Sequence, residues 1–496
     1  MNHLRIKAAG FIALSSLCFS GCTVGPDYHP PQTATRLHWS EPLAGGETNA
    51  TATATEWWKN FNDMEMDSLI ARAVQSNLDL RVAVGRVREA RAQYGVASAD
   101  LWPTLDTSAS YARSLQSKNQ PLIGSLPSFV EQQIPFENNV YQAGFDASWE
   151  IDVFGGKRRA LQASSAQYAA SQFSRRDVLV SLLGDVAQSY IDLRGYQQRL
   201  AIARENIDAQ EKSLGITRDR FAKGLASELD VDQASAVLAT TRADVPTLES
   251  SIQTSMHRVE VLLGQHPGSL QAELGPSAAI PPTPPLVPVG VPSDLLLRRP
   301  DIREAERQLA AATANIGVAK ADLFPKFNLT GSYGLDSIST SDFFTAKSQN
   351  WSVGPTVQWR IFDAGRIRAN IRVQNALQEQ ALATYEKTVL TAFEEVENNL
   401  VSYAKEQDRR RSLQDAVLSN KRSLEVSQRQ YANGLTDFLH VLDAERSLFS
   451  AQDALVQSDR TISANLVALY KSLGGGWETM EQENTFGLAQ NTKTIR

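Results

Sequence analysis

Hydrophobic and polar positions follow two different periods along this chain, and the periods alternate in blocks. Over residues 104–112 the odd positions carry Leu105, Thr107, Ala109 and Tyr111, and the even positions Thr104, Asp106, Ser108 and Ser110. Over 141–151 the odd positions are Tyr141, Ala143, Phe145, Ala147, Trp149 and Ile151, separated by Gln142, Gly144, Asp146, Ser148 and Glu150. A second pair follows the same rule. Phe327, Leu329 and Tyr333 alternate with Lys326, Asn328, Thr330 and Ser332, and Trp351, Val353, Val357 and Trp359 alternate with Ser352, Thr356, Gln358 and Arg360. A period of two predicts strands with one apolar and one polar face. Their connections, 113–140 and 336–349, are polar, and the first contains Pro121, Pro127 and Pro135.

Between these blocks the pattern turns helical. Residues 157–221 and 366–431 each run for about 65 positions without proline, and the second stretch has no glycine either. Straight-chain helix formers dominate, and at 1.5 Å per residue each stretch would span roughly 95–100 Å. Soluble helices average about 11–12 residues, so such lengths imply a coiled coil or a wide space to cross. Each run ends where a left-handed residue can reverse the chain, at Lys223-Gly224-Leu225 and Asn433-Gly434-Leu435. Return helices are predicted over 227–263, with a kink at Pro246, and over 436–473. Residues 64–100 read as one further helix, closed by Trp102-Pro103.

The second half repeats the first. Asp79-Leu80-Arg81 matches Asp301-Ile302-Arg303, and Ala99-Asp100-Leu101-Trp102-Pro103 matches Ala321-Asp322-Leu323-Phe324-Pro325, both 222 residues on. Phe221-Ala222-Lys223-Gly224-Leu225 matches Tyr431-Ala432-Asn433-Gly434-Leu435, 210 residues on, so the second repeat is 12 residues shorter in its strand connection. The expected organisation is a signal peptide over 1–21, an extended segment over 22–63 and a first repeat over 64–266. In that repeat the strand pair lies at about 104–151, the long helix at 157–221 and the return helix at 227–263. A linker over 267–292 holds eight of the twenty prolines. The second repeat covers 293–474, with strands at about 326–361, the long helix at 366–431 and the return helix at 436–473, and a tail occupies 475–496.

Composition narrows the chemistry. The formal charge is −6, with no basic patch interleaved with aromatics, which argues against nucleic acid as a partner. The two cysteines, Cys18 and Cys22, both precede residue 23, so no disulfide can form in the body. Arg5 and Lys7 precede an apolar run that ends Phe19-Ser20-Gly21-Cys22, a secretory signal whose close resembles a lipobox. One reading makes Cys22 an incidental residue at an ordinary cleavage site. The other makes it the lipidated new N-terminus, which gives an unpaired exported cysteine a purpose. Several acyl chains, at about 0.8 kcal/mol per buried methylene, anchor stably where one does not. Cleavage before Cys22 removes Arg5 and Lys7 and leaves −8 on the body. The later chain has no apolar run of about 18 residues, and the whole sequence has a mean hydropathy of −0.28, but membrane β-barrels do not register on hydropathy. Six scattered histidines show no metal-ligand spacing, the five methionines do not cluster, and no P-loop, G-x-S-x-G or H-E-x-x-H occurs. An enzyme is therefore not expected, nor any cofactor beyond the lipid on Cys22.

Four strands with one apolar face cannot close a barrel, and an unpaired edge is untenable in a membrane. Several chains must contribute strands to one barrel, and strands of about 10 residues with aromatics near their ends suit a bacterial outer membrane. The loops face outward and the helices hang into the periplasm.

The stretches Gly21-Cys22-Thr23-Val24-Gly25-Pro26-Asp27-Tyr28, Leu297-Arg298-Arg299-Pro300-Asp301-Ile302-Arg303 and Ala314-Asn315-Ile316-Gly317-Val318-Ala319 resemble the outer membrane factor family, in particular its OprM/NodT-type lipoproteins, related to TolC. The resemblance covers essentially the whole mature chain. It implies a homotrimer with a twelve-stranded barrel, four strands per chain, continued by a periplasmic α-helical barrel. It also implies a periplasmic membrane-fusion adaptor and an inner-membrane RND-type transporter as partners, with the lipid-anchored protein in the outer membrane of a Gram-negative bacterium. The implied function is the exit channel of a tripartite efflux pump, passively conducting drugs or other small molecules. The alternatives are a protein-secretion duct and a structural outer-membrane lipoprotein that conducts nothing.

Leu439, Asp443 and Arg446 recur at i, i+4 and i+7 on one helical face. By themselves Asp443 and Arg446 read as a surface ion pair of about 0.2–0.5 kcal/mol; the resemblance implies that the three hold the periplasmic aperture. In the first repeat Asp230 and Asp232 read either as an acidic ring around the axis or as helix-start carboxylates, and Gln233 matches Asp443. Gly224, Leu225, Gly434 and Leu435 are the expected helical tips and adaptor-docking surface.

Overall fold

The computed structural model describes residues 23–33, 36–43, 45–48, 50, 55–115, 117 and 136–478; Cys22, most of the 113–140 connection and the end of the tail lie outside these residues. The chain divides into two compact units, the first comprising residues up to Pro30 with Glu89–Ala169 and Arg307–Ala383, the second Pro31–Arg88, Ala170–Glu306 and the chain from Thr384 onward.

The first unit is built on an antiparallel sheet of β2 (Thr104–Leu115), β3 (Glu137–Ile151), β5 (Lys326–Ser337) and β6 (Gln349–Gln358), ordered β2-β3-β5-β6. The register sets aromatic against aromatic on the odd face: Tyr111 opposes Tyr141, Phe145 opposes Tyr333, and Tyr333 opposes Trp351. The Tyr111 and Tyr141 ring centroids are 4.9 Å apart. β2 and β6 pair on one side only. Two indoles close the opposite end in equivalent ways, Trp149 Nε1 donating to the Leu101 carbonyl at 2.9 Å and Trp359 Nε1 to that of Leu323 at 3.1 Å.

Below the strands, aspartates start the long helices α3 (Gly156–Ala222) and α8 (Arg366–Ala432). The Asp152 carboxylate accepts from the Lys157 and Arg158 amides, and that of Asp363 from Gly365 and Ile367. The N-terminal segment is strapped here. Val24 N donates to Phe154 O, and the buried Arg159 donates to the carbonyls of Val24 and Gly25 and to the Asp27 carboxylate at 2.8 Å. Gly25 crosses Gly317 of α7 (Pro300–Ala321) so closely that a Cβ on Gly25 would stand 2.4 Å from the Gly317 Cα.

The second unit holds the main core. The helix expected over 64–100 is two helices, α1 (Met64–Ser76) and α2 (Leu78–Ala99). Asn77 between them is extended, with φ −60° and ψ 132°; its side chain accepts from the Leu80 amide and donates to the Leu262 carbonyl. An Asn that caps one helix and ties down another competes successfully with helix continuation. The segment read as irregular contributes a buried one-turn 3₁₀ helix, Trp57–Phe61, with Trp57 stacked on Tyr470 at 5.4 Å. It also contributes β1 (Glu47–Thr48), paired in parallel with β4 (Val287–Pro288). The proline-rich stretch carries α5 (Gln271–Leu274) as well as β4, and it buries Leu274, Val287 and Val289 against the core. After the short α6 (Asp294–Arg298), Arg299 forks onto Asp301 and also donates to Glu395 and to the Ser472 carbonyl. The return helices are α4 (Glu228–Leu262), unbroken through Pro246, and α9 (Phe438–Ser472). Each has 35 residues and each long helix 67.

Gly25→Val should undock the strap, since its φ of 99° disfavours a side chain and the added atoms meet Gly317 backbone. Overpacking of this kind costs about 1–3 kcal/mol. A lowered thermal unfolding midpoint in detergent is expected; an unchanged midpoint would show that the crossing contributes nothing.

Candidate functional site: the helical tips

The tips form where α3 and α8 end. Gly224 and Gly434 both take φ 70°, the left-handed geometry that only glycine adopts freely. The two turns share one hydrogen-bond pattern. Leu225 N donates to Arg220 O and Gly224 N to Phe221 O; Leu435 N donates to Gln430 O and Gly434 N to Tyr431 O. In this motif the residue after the glycine ordinarily packs back on its helix. Here the helix offers Arg220 and Gln430 at that position, and Leu225 and Leu435 stand out, 63% and 77% exposed. Leu229 and Leu439, four residues further along each return helix, are exposed too.

The tips are joined to each other. Arg220 Nη1 donates to the Tyr431 carbonyl at 3.1 Å, and its guanidinium lies 4.4 Å from the centre of the Tyr431 ring. Tyr431 packs against Phe438 at 5.3 Å, and a small core of Leu214, Val237, Leu238, Val441 and Leu442 closes around them.

The return helices start differently. Ser227 caps α4: its hydroxyl accepts from the Asp230 amide while the Asp230 carboxylate accepts from the Ser227 amide. Asp230 is thereby engaged, whereas Asp232 is exposed. α9 begins at Asp437, whose side chain makes no capping bond. Leu439, Asp443 and Arg446 lie on its exposed face, opposite Phe438, Val441, Leu442, Ala444 and Glu445, which are buried. Among the described residues the ion pair that their spacing permits does not form, and neither Asp443 nor Arg446 bonds to any other side chain of this chain. Asp443 also lines a groove of about 700 Å³ with His440, Ser423 and Gln430.

Sequence reasoning missed two participants, Arg220 and Glu445. Glu445 was legible by spacing, seven residues after Phe438 and three after Leu442 on the apolar face of α9. Among the described residues no group of three or more His, Cys, Asp or Glu could hold a metal ion, and no helix is long and apolar enough to cross a membrane.

Comparison with known proteins gives a consistent result. The family model described as outer membrane efflux protein matches residues 69–265 and 291–475. The chain is 34% identical over 489 residues to the solvent efflux pump outer membrane protein SrpC of Pseudomonas putida, covering 96% of this chain and 100% of that protein. It is 32% identical to nodulation protein T of Rhizobium leguminosarum bv. trifolii, covering 93% and 96%, and 31% identical to the cation efflux system protein CusC of Escherichia coli, covering 93% and 97%. Among solved structures, the outer-membrane channel OprN superposes with a TM-score of 0.85 at 38% identity, covering 92% of this chain and 100% of that one. A structure of CusC superposes with a TM-score of 0.79 at 30% identity, covering 92% and 100%.

The two kinds of glycine in the return-helix turns separate conformational from steric cost. A Cβ on Gly434 meets nothing within 4 Å, so Gly434→Val carries only the left-handed penalty of about 1–2 kcal/mol. A Cβ on Gly474, also at φ 70°, comes within 2.9 Å of Arg299 Cγ. Gly474→Val is expected to lower the unfolding midpoint further than Gly434→Val, and the reverse order would refute this account of the turns.

Proposed function

The chain belongs to the outer membrane efflux protein family, and on that premise we propose that it is the outer-membrane exit channel of a tripartite efflux pump. Three copies form one twelve-stranded barrel, and small molecules pass through it without being changed. The observation that carries this reading is the four-stranded sheet with two unpaired edges and one apolar face. In hydrocarbon each unsatisfied backbone group costs several kcal/mol, and a neighbouring copy supplies β2 to the free edge of β6. The elbows support the same closure. Within one chain Phe154 stacks on Phe324 at 4.5 Å, joining the end of the first strand pair to the start of the second. At the outer elbows Trp102, which matches Phe324, and Phe362 of the last strand-to-helix turn are 70% and 86% exposed, apolar surfaces left for the next copy. With the apolar odd face against lipid, the even face of serine, threonine, asparagine and aspartate lines the bore.

Leu439, Asp443 and Arg446 close the periplasmic aperture by contacts between subunits. Their exposure and the lack of intrachain partners for both charges support this reading. Asp232 gives the first repeat an exposed acid that could join a ring around the axis, while Asp230 serves its helix cap. Leu225 and Leu435, held out on the rigid turns at Gly224 and Gly434, offer apolar contacts to a periplasmic adaptor that links the channel to an RND-type inner-membrane transporter. The lipid on Cys22 fits the strap, because Thr23 packs against Gly155 immediately below β3. The relatives are named for solvents, cations and nodulation at nearly equal identity, which supports a reading in which the choice of cargo belongs to the transporter.

Asp443→Ala and Arg446→Ala should raise single-channel opening in planar bilayers. Three exposed pairs at about 0.2–1 kcal/mol each imply an increase on the order of 10-fold; wild-type conductance in both variants would remove the latch. Cys22→Ser should abolish incorporation of labelled palmitate, and persistent labelling would place the anchor elsewhere.

A further inference from the structure

The return helix of the second repeat is unevenly fastened. Toward its C-terminal end it is held by ion pairs: Lys471 with Asp185 at 3.3 Å, Arg460 with Asp192 at 3.0 Å, Asp459 with Arg410, and Asp453 with Arg199 at 2.6 Å. Among the described residues these pairs stop at Asp453, and the tip end of α9, residues 438–446, makes none. The first-repeat helix α4 differs at its start, where Ser227 and Asp230 form a reciprocal cap, while its ion pair of Arg242 with Glu211 stands one residue from the position that matches Asp453. The tip end of α9 is held by the small apolar core and by one polar contact. That contact is made by Glu445, 5% exposed. Its carboxyl accepts from the Ser213 hydroxyl of α3 and faces the Gln428 side chain of α8. No cation faces it. From α3 it meets a hydroxyl and from α8 an amide, and its charged neighbours on α9, Asp443 and Arg446, point to the exposed side. The matching residue of the first repeat is Ser235.

We propose that Glu445 is a positioning residue of the aperture: its contacts with Ser213 and Gln428 seat the tip end of α9 on both long helices, and ionisation of its carboxyl loosens that seat. The proposal rests on the reading of Leu439, Asp443 and Arg446 as the latch, since these residues ride on the seated segment. Burial is the largest influence on the Glu445 carboxyl and pushes it above its ordinary range, and the polar side chains of Ser213 and Gln428 offset this only in part. The sign follows. A carboxyl that holds its proton more tightly when seated than when solvated stabilises the seat fully below its solvated value, and that stabilisation is lost as pH rises through the raised one. The channel therefore opens more readily in neutral than in acidic surroundings.

The test uses the full-length lipidated protein, comparing wild type with Glu445→Gln, which keeps the shape and the hydrogen bonds but cannot ionise. Hydrogen exchange of the 438–446 amides is read at about pH 5 and about pH 8, variant against wild type at each pH so that intrinsic rates cancel. Equal protection is expected at the lower pH and greater protection of Glu445→Gln at the higher. Equal protection at both would overturn the proposal. Glu445→Ala should lose protection at both pH values, and wild-type protection there would also overturn it. In bilayers Glu445→Gln should lose the rise in opening with pH that the wild type shows, and a wild-type rise in that variant would overturn the proposal. If Asp443→Ala and Arg446→Ala both leave conductance unchanged, the latch reading fails, while the exchange data still decide the role of Glu445.

Discussion

A hydrocarbon layer has no water to offer a peptide group, and the sheet of this protein ends in two strands whose outer N–H and C=O groups are unpaired. No rearrangement within four strands removes those edges, because a sheet this narrow cannot curl onto itself. The apolar odd face and the paired aromatics Tyr111–Tyr141 and Tyr333–Trp351 make sense only with the edges joined to other copies. That closure also determines the helices. α3 and α8 start within a few residues of the strand ends, at Asp152 and Asp363, so whatever ring the strands form the helices must continue. Their low amphipathicity as single helices is then expected, since each must meet neighbours on more than one side.

The elbow between strand and helix is where most of the recurring sequence motifs do their physical work. Gly25 and Gly317 allow two backbones to cross, Arg159 gathers the carbonyls of the strap, and Trp149 and Trp359 fasten each strand end to the preceding helix. Arg299 performs an equivalent task farther along, fixing the last carbonyls of α9 to the start of α7, as Asn77 fixes α4 to the start of α2. A large ion in one repeat and a small amide in the other satisfy the same orphan carbonyls at a helix C-terminus. The chemistry differs while the requirement stays the same.

This division explains what could be read from the residues alone. The strand faces were legible because period two is a local property, and the long helices because proline is absent and an Asn-Gly or Lys-Gly pair ends each run. The break at Asn77 was not legible, since it depends on a carbonyl at Leu262, far along the chain. Trp57 and Trp58 lay in a segment rich in threonine and proline, and nothing local announced that Tyr470 would stack on Trp57. The proline-rich 267–292 stretch looked like a tether because its pairing partner, Glu47–Thr48, is only two residues long. At the tip, spacing permitted an Asp443–Arg446 pair, but spacing sets only a possibility; both side chains instead leave the surface of the chain unpaired.

A duplicated fold gives two chemically similar tips, and an aperture that opens needs them to differ. The differences concentrate in one helical turn. Gln233, Ser235 and Ala236 of α4 correspond to Asp443, Glu445 and Arg446 of α9. Three neutral residues have become two exposed opposite charges and one buried acid. On the proposed latch, the exposed charges give α9 something to hold outside its own chain, and the buried acid makes its hold inside the chain conditional. α4 has neither, and it carries a reciprocal cap that fastens its start. The same helix–turn–helix can therefore serve as a fixed stave in one repeat and as a movable one in the other without any change of backbone. Because both functions sit within four residues, the strength of the contact outside the chain and the strength of the seat inside it compete for the same turn of helix. On the proposed latch, loosening either one favours opening, and opening then asks only that the tip end of α9 leave its small apolar core while the ion pairs from Asp453 onward keep the rest of the helix in place.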